Sequence, residues 1–258
     1  MNLPHWLLIL CSAAFLWALA VLTNRRNVQV HDGGGSPDSD LIVFVEPVRW
    51  LFIIWGFAPF CRGLRLAGCN AQVRLFRWSG LAGSLLVIPD LVRHRRLLQK
   101  AERLARQLDA YAAERPDRRI HLVGYSTGSY IALEACKRRT KPGAIRTVVV
   151  LAGTMSPDYR LDDLAGRVQR VHSFHSRLDL ISIIGPVLFG SNDRRWGPAG
   201  GAVGFRRLPA FTGQRAWQVA DMAVGYLGDH FTVVAPRFVA RHMAALFCER
   251  RMGVNSDT

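Results

Sequence analysis

The sequence predicts an α/β fold with a mostly parallel central sheet and helices on both faces. Three observations predict it. Residues 41–45, 120–123 and 144–153 are apolar runs of strand length, as expected of strands buried on both faces. Longer stretches between them place apolar residues three and four apart, the spacing of helices with one buried face. The two kinds of segment alternate along the chain, the pattern of a parallel sheet built through helical crossovers.

The chain has 258 residues, half of them hydrophobic, enough for one well-cored domain. Its formal net charge is +15, and the cations are nearly all arginine, since Lys100, Lys137 and Lys141 are the only lysines. The arginines are scattered and form no basic-aromatic motif. A solvated basic shell is therefore expected, with no nucleic-acid partner. A nucleic-acid binder would rest on charge alone. The five cysteines show no C-x-x-C and no histidine at zinc spacing. They read as mostly reduced, buried small hydrophobes, and no metal or cofactor is expected.

In chain order, residues 6–22 carry no charge and reach the lower limit for crossing a bilayer as a helix. Ala18-Leu19-Ala20 resembles a signal-peptide cleavage site, but residues 1–5 lack the positive start of such a peptide. Arg25 and Arg26 follow the run and, by the positive-inside rule, hold what comes next in the cytoplasm. The expectation is a single-pass anchor over 1–25 with the domain on the cytoplasmic side; cleavage would make the domain secreted or periplasmic. Residues 26–40, containing Gly33-Gly34-Gly35-Ser36-Pro37, read as a flexible linker. The domain is expected over 41–250, with 251–258 as a tail.

Within the domain, residues 51–66 read as a buried helix interrupted near Pro59. Residues 73–78 alternate apolar and basic, as a strand nearer the sheet edge does. Ser79, Gly80 and Gly83 make a turn. Residues 90–113 form an amphipathic helix through Leu97, Ala101, Leu104, Leu108 and Tyr111. Residues 168–174 are a further strand and 205–211 a last one, with Pro209 arguing for an edge. Residues 233–247 close the domain as a helix.

Between the strand at 120–123 and the next helix lies Gly124-Tyr125-Ser126-Thr127-Gly128, the pattern G-x-S-x-G. A serine on a sharp strand-to-helix turn is held in a strained conformation that lifts its hydroxyl clear of the sheet. Strand and helix nearly collide around it, so Gly124 and Gly128 are the residues that fit. The N–H of Thr127, at the helix start, is placed to stabilise an oxyanion.

A serine hydroxyl needs a histidine to take its proton, and the histidine needs a carboxylate to hold its tautomer. In a parallel α/β sheet such partners lie past the C-terminal ends of later strands. Asp179, in the loop after the 168–174 strand, is the candidate acid. Asp158, Asp162 and Asp163 are runners-up, and Asp179 could instead simply cap the helix at 181–183. His230, in Gly228-Asp229-His230-Phe231, is the candidate base, since it sits in a late loop beside glycine. His172 and His175 read as strand residues.

The chain resembles the α/β-hydrolase superfamily of serine esterases and lipases through Gly124-Tyr125-Ser126-Thr127-Gly128, Ser176-Arg177-Leu178-Asp179 and Gly228-Asp229-His230-Phe231, in that order. The resemblance implies a serine hydrolase acting on carboxylic esters or thioesters, lipid-like ones included, with Ser126 as nucleophile, His230 as base and Asp179 as orienting acid. It also implies a second oxyanion N–H from the turn after the first strand. Here that turn is Glu46-Pro47-Val48-Arg49-Trp50; Pro47 has no N–H, so Val48 or Arg49 must serve. If neither did, the chain would be a weak or inactive scaffold acting as a binding module. A small or absent cap is expected, with residues 182–204 bordering the site.

Overall fold

The computed structural model describes residues 5–36, 39–80, 94–140 and 145–248. Its strands are β1 (Leu41–Val45), β2 (Gln72–Phe76), β3 (Ile120–Tyr125), β4 (Ile145–Leu151), β5 (Val168–His175) and β6 (Thr212–Ala216). They form one sheet in the order β2-β1-β3-β4-β5-β6, and every pairing is parallel. The helices are α1 (His5–His31), α2 (Phe57–Leu66), α3 (His94–Glu114), α4 (Thr127–Arg138), α5 (Leu180–Phe189), α6 (Gly200–Val203) and α7 (Pro236–His242).

Side chains alternate across each strand, and that alternation assigns the two layers. Leu41, Val43, Val45, Leu122 and Val148 pack with Leu97, Leu104 and Ile131 of α3 and α4. Ile42, Phe44, Val123 and Val149 pack on the opposite face with Phe57, Phe60 and Phe238 of α2 and α7. Both faces of β1, β3 and β4 are thus covered, which is why β1 reads as an unbroken apolar run and β3 and β4 as mainly apolar ones, interrupted by His121 and by Arg146-Thr147. The edge strand β2 keeps Arg74 exposed.

Several segments differ from their sequence reading. Helix α2 begins only at Phe57, because residues 50–53 form a tight turn closed by Ile53 N–H donating to the Trp50 carbonyl and Gly56 takes a positive φ of 82°. The last strand is residues 212–216 rather than 205–211. The Pro209 carbonyl accepts the Thr212 N–H at 2.8 Å in a turn, so pairing with β5 starts at Thr212. The closing helix is split, since Pro236 cannot donate within a helix and instead opens α7. Gly83, Ala144, residues 90–93 and the tail 251–258 lie outside the described residues.

The N-terminal helix does not end at Arg25 but runs to His31. Trp17, Val21, Asn24 and Val28 share one face, and Val21 and Val28 are buried against the domain. The segment read as a free linker is tied down: Gly33 N–H donates to the Val73 carbonyl and Val73 N–H to the Gly34 carbonyl, beside β2. Among the described residues, no helix is long and apolar enough to cross a membrane. Asn24 to Asn27 make the second half of α1 polar, although Ile9, Phe15, Leu16 and Leu22 of its first half are exposed.

The cysteines also differ from expectation. Cys11, Cys61 and Cys136 are free, but Cys69 and Cys248 form a disulfide across a separation of 179 residues. The bond joins the end of α2 to the end of the described chain, and sequence spacing could not signal it. Cys248→Ser is expected to lower conformational stability by about 2–4 kcal/mol. The check is urea unfolding with and without reductant: reductant should bring the wild type down to the variant and leave the variant unchanged.

Candidate active site

The register of the sheet assembles the site. Val45 of β1 pairs with Gly124 of β3, so the turn after β1 lies beside the serine. Ser126 has φ 54° and ψ −127°, a conformation that costs an L-residue energy and persists only when its surroundings enforce it. The enforcement is visible. Ser126 N–H donates to the Leu151 carbonyl at 2.9 Å, and its own carbonyl accepts from Ser129 N–H at 2.9 Å. A Cβ on Gly124 would fall 2.4 Å from Ser129 Cα, the strand–helix collision the motif implies. A Cβ on Gly128 would fall 2.3 Å from the Val45 carbonyl oxygen, so this glycine lets α4 approach the end of β1.

That approach brings the turn after β1 close to the N-terminus of α4. Of the three residues after Glu46, Pro47 has no N–H and the Arg49 N–H donates to Ser79 Oγ at 3.1 Å. The Val48 N–H donates to no group among the described residues, and Val48 lines the same cavity as Ser126. The Thr127 N–H opens α4, where the helix offers it no acceptor. The turn is braced by the fully buried Glu46, whose Oε1 accepts from Trp78 N–H at 3.0 Å and Ser79 N–H at 3.1 Å. Burial pushes this carboxyl upward, against the pull of Arg49 and the two N–H groups.

Asp179 and His230, 51 residues apart in sequence, meet directly. His230 Nδ1 lies 2.8 Å from Asp179 Oδ2 and 3.0 Å from Oδ1, both side chains buried. A carboxylate only accepts, so Nδ1 carries the proton and Nε2 is left as an acceptor. Asp179 is also the N-cap of α5, taking Ser182 N–H at 3.0 Å and Ser182 O–H at 2.7 Å. The capping role and the pairing with His230 therefore coexist. His230 is held in turn by its own carbonyl, which accepts the Tyr125 O–H at 2.7 Å. Burial, and next the charge of Asp179, raise the Tyr125 hydroxyl well above its ordinary range, so it stays a donor.

Ser126 and His230 line one cavity of about 270 Å³. It is lined also by Val48, Trp50 and Trp55 and by Ile181, Pro186 and Phe189 of α5. The expectation that residues 182–204 border the site holds in part, through α5 and Asn192. The other candidates lie elsewhere. Asp158 pairs with Arg206, and Asp163 with Lys137 and Arg160. Asp162 sits on an exposed short helix, and His172 and His175 stay within β5. Sequence reasoning missed Tyr125, Ser182, Thr154 and Asn192. The first two hold the histidine and the acid; the last two line the cavity and are hydrogen-bonded to each other. Among the described residues no cluster of His, Cys, Asp and Glu is placed to hold a metal ion.

Val48→Pro, which deletes the free N–H, is expected to lower kcat for a soluble ester by about 10²- to 10³-fold. Val48→Ala keeps the N–H and should stay within a few-fold of wild type. Equal losses in the two variants would move the donor elsewhere.

No family model matches the chain, and no curated protein matches it. Solved structures do. A protein from Thermus thermophilus superposes with a TM-score of 0.50 at 12% identity, over 82% of this chain and 89% of that one. A lipase-esterase related protein from Clostridium acetobutylicum gives 0.47 at 13% identity, over 80% of this chain and 94% of that one. A lid-less α/β serine hydrolase from Xanthomonas campestris gives 0.46 at 14% identity, over 82% and 85%. At such identities the likeness is one of architecture. With its all-parallel sheet in this strand order and a strained serine turn between the third strand and the helix after it, this chain has the α/β-hydrolase fold.

Proposed function

We propose that the protein is a serine hydrolase that cleaves carboxylic esters or thioesters through an acyl-serine intermediate. The observation that carries this reading is the Asp179–His230 pair, which opens onto the same cavity as a serine held at φ 54°. In the first half-reaction His230 Nε2 takes the Ser126 proton as Oγ attacks the ester carbonyl. The oxyanion forms against the N–H groups of Thr127 and Val48. His230 then protonates the leaving alcohol or thiol. Water repeats the cycle and frees the acid. The largely apolar walls suit an uncharged acyl chain.

The test is labelling of the purified protein by a fluorophosphonate probe. Wild type should label, while Ser126→Ala and His230→Ala should not. A wild type that stays unlabelled beside a reactive control hydrolase would sink the reading and leave the scaffold alternative standing.

Attachment to a membrane through α1 belongs to the same proposal, supported by the exposed Ile9, Leu10, Phe15, Leu16, Leu19 and Leu22. The side of the membrane is revised. A disulfide persists where thiols are not kept reduced, so Cys69–Cys248 favours a domain in an oxidising compartment over the cytoplasmic side that Arg25 and Arg26 suggested. The protein should sediment with phospholipid vesicles and run as the oxidised form on a non-reducing gel. Release into the supernatant, or a free Cys69 thiol in cells, would remove the corresponding half.

A further inference from the structure

The cavity lining at Trp50 and Trp55 belongs to a segment that α1 holds together with the domain core. Leu51 and Phe52 sit at φ 51° and 64°, a region that bulky L-residues enter only under external constraint. The turn closed by Ile53 N–H on the Trp50 carbonyl supplies part of the constraint, and α1 supplies the rest. Trp17 Nε1–H donates to the Leu51 carbonyl at 3.3 Å, and the Trp17 ring packs edge-on to Phe52 at 5.8 Å. One turn pair further along the same face, Asn24 binds the backbone of Ile54 twice. Its Nδ2–H donates to the Ile54 carbonyl at 3.1 Å, and its Oδ1 accepts the Ile54 N–H at 2.9 Å. A side-chain amide thus imitates the two hydrogen bonds of a neighbouring strand. Beyond Ile54, the Trp55 ring packs at a tilt against Phe231, the residue after His230, with centroids 5.3 Å apart.

From this geometry we infer that Asn24 and Trp17 are positioning residues for substrate: α1 clamps residues 51–54 and thereby sets where Trp50 and Trp55 wall the acyl pocket. Neither Asn24 nor Trp17 lines the cavity, so their effect passes through the two tryptophans. The inference rests on the hydrolase reading for its substrate and gives α1 a second role, in acyl-chain specificity. A clamp of this kind acts on the pocket lining and not on the Ser126 backbone. Short acyl groups, which reach only Ser126 and the oxyanion donors, are indifferent to it. Long acyl chains, which must lie against Trp50 and Trp55, are not.

The experiment compares acetyl and dodecanoyl esters of one alcohol in the full-length protein bearing Asn24→Ala, Asn24→Asp or Trp17→Phe. Asn24→Ala should raise KM for the dodecanoyl ester about tenfold and change the acetyl ester less than about twofold. Asn24→Asp, which keeps the acceptor for Ile54 N–H, should recover part of the difference. Trp17→Phe, which keeps a ring but loses the N–H, should be intermediate. An equal loss on both esters, following a fall in Tm, would show a merely structural role and overturn the proposal. Two measurements need no turnover: hydrogen exchange at the Ile53 and Ile54 amides, and titration of dodecanoate into the Ser126→Ala protein. Asn24→Ala should speed exchange and weaken dodecanoate binding, each by about tenfold. Unchanged exchange and binding would also overturn the clamp. A wild type inert to both esters and to the fluorophosphonate would defeat the hydrolase reading, while exchange and dodecanoate titration would still decide the clamp.

Discussion

Ser126→Ala is expected to lower kcat/KM for a soluble acetyl ester by at least about 10⁴-fold, equivalent to roughly 5.5 kcal/mol of transition-state stabilisation. Nothing else in the cavity can replace the lost Oγ. Of the two other hydroxyl residues lining it, Thr154 is hydrogen-bonded to Asn192, and Tyr125 donates its O–H to the His230 carbonyl. The substitution should leave the fold intact, because the Ser126 contacts that hold the elbow are made by its backbone N–H and carbonyl. The measurement is initial rate against ester concentration, with unfolding followed on the same preparation. Residual turnover within about tenfold of wild type, at unchanged stability, would show that the reaction does not pass through Ser126.

Asp179→Asn should cost nearly as much, about 10⁴-fold in kcat, with little change in stability. Asparagine is a good helix N-cap, so α5 should survive. The damage is to the proton inventory. Ser182 presents two donors to Asp179, and His230 presents a third. An amide has only one oxygen. If that oxygen stays with Ser182, the NH₂ faces His230 Nδ1 and forces the proton onto Nε2, where it blocks acceptance of the Ser126 proton. Ser182→Ala makes a useful companion, because it loosens the carboxylate without altering its charge. A fall of only a few-fold in Asp179→Asn would reduce Asp179 to the capping residue that local sequence also allowed.

What could be read from the linear chain was whatever short-range sterics and periodicity encode. The elbow is such a case: its two glycines, its serine and the apolar runs around it lie within fifteen residues and admit one strained solution. The strands β1, β3 and β4 are another, because burial on both faces leaves a mainly apolar run. Asp179 and His230 could be proposed because a parallel sheet sends the loops after its strands to one edge. Their 2.8 Å contact could not be measured that way.

The misread segments fail for one physical reason: their conformations are imposed from a distance. Residues 51–55 have helical composition, but Trp17 and Asn24 of α1 hold them as a turn with two positive φ angles. Residues 33–36 have the composition of a linker, yet β2 supplies backbone partners to Gly33 and Gly34. Cys69 and Cys248 read as isolated hydrophobes because nothing local marks a partner 179 residues away. The sequence by itself determined the fold class and the strained serine turn, since both follow from contacts within a few residues. Only the tertiary structure decided that the Val48 N–H donates to no group among the described residues, that Tyr125 and Ser182 hold His230 and Asp179, and that α1 contacts residues 51–54. Each of those is a pairing between groups whose separation in space bears no relation to their separation along the chain.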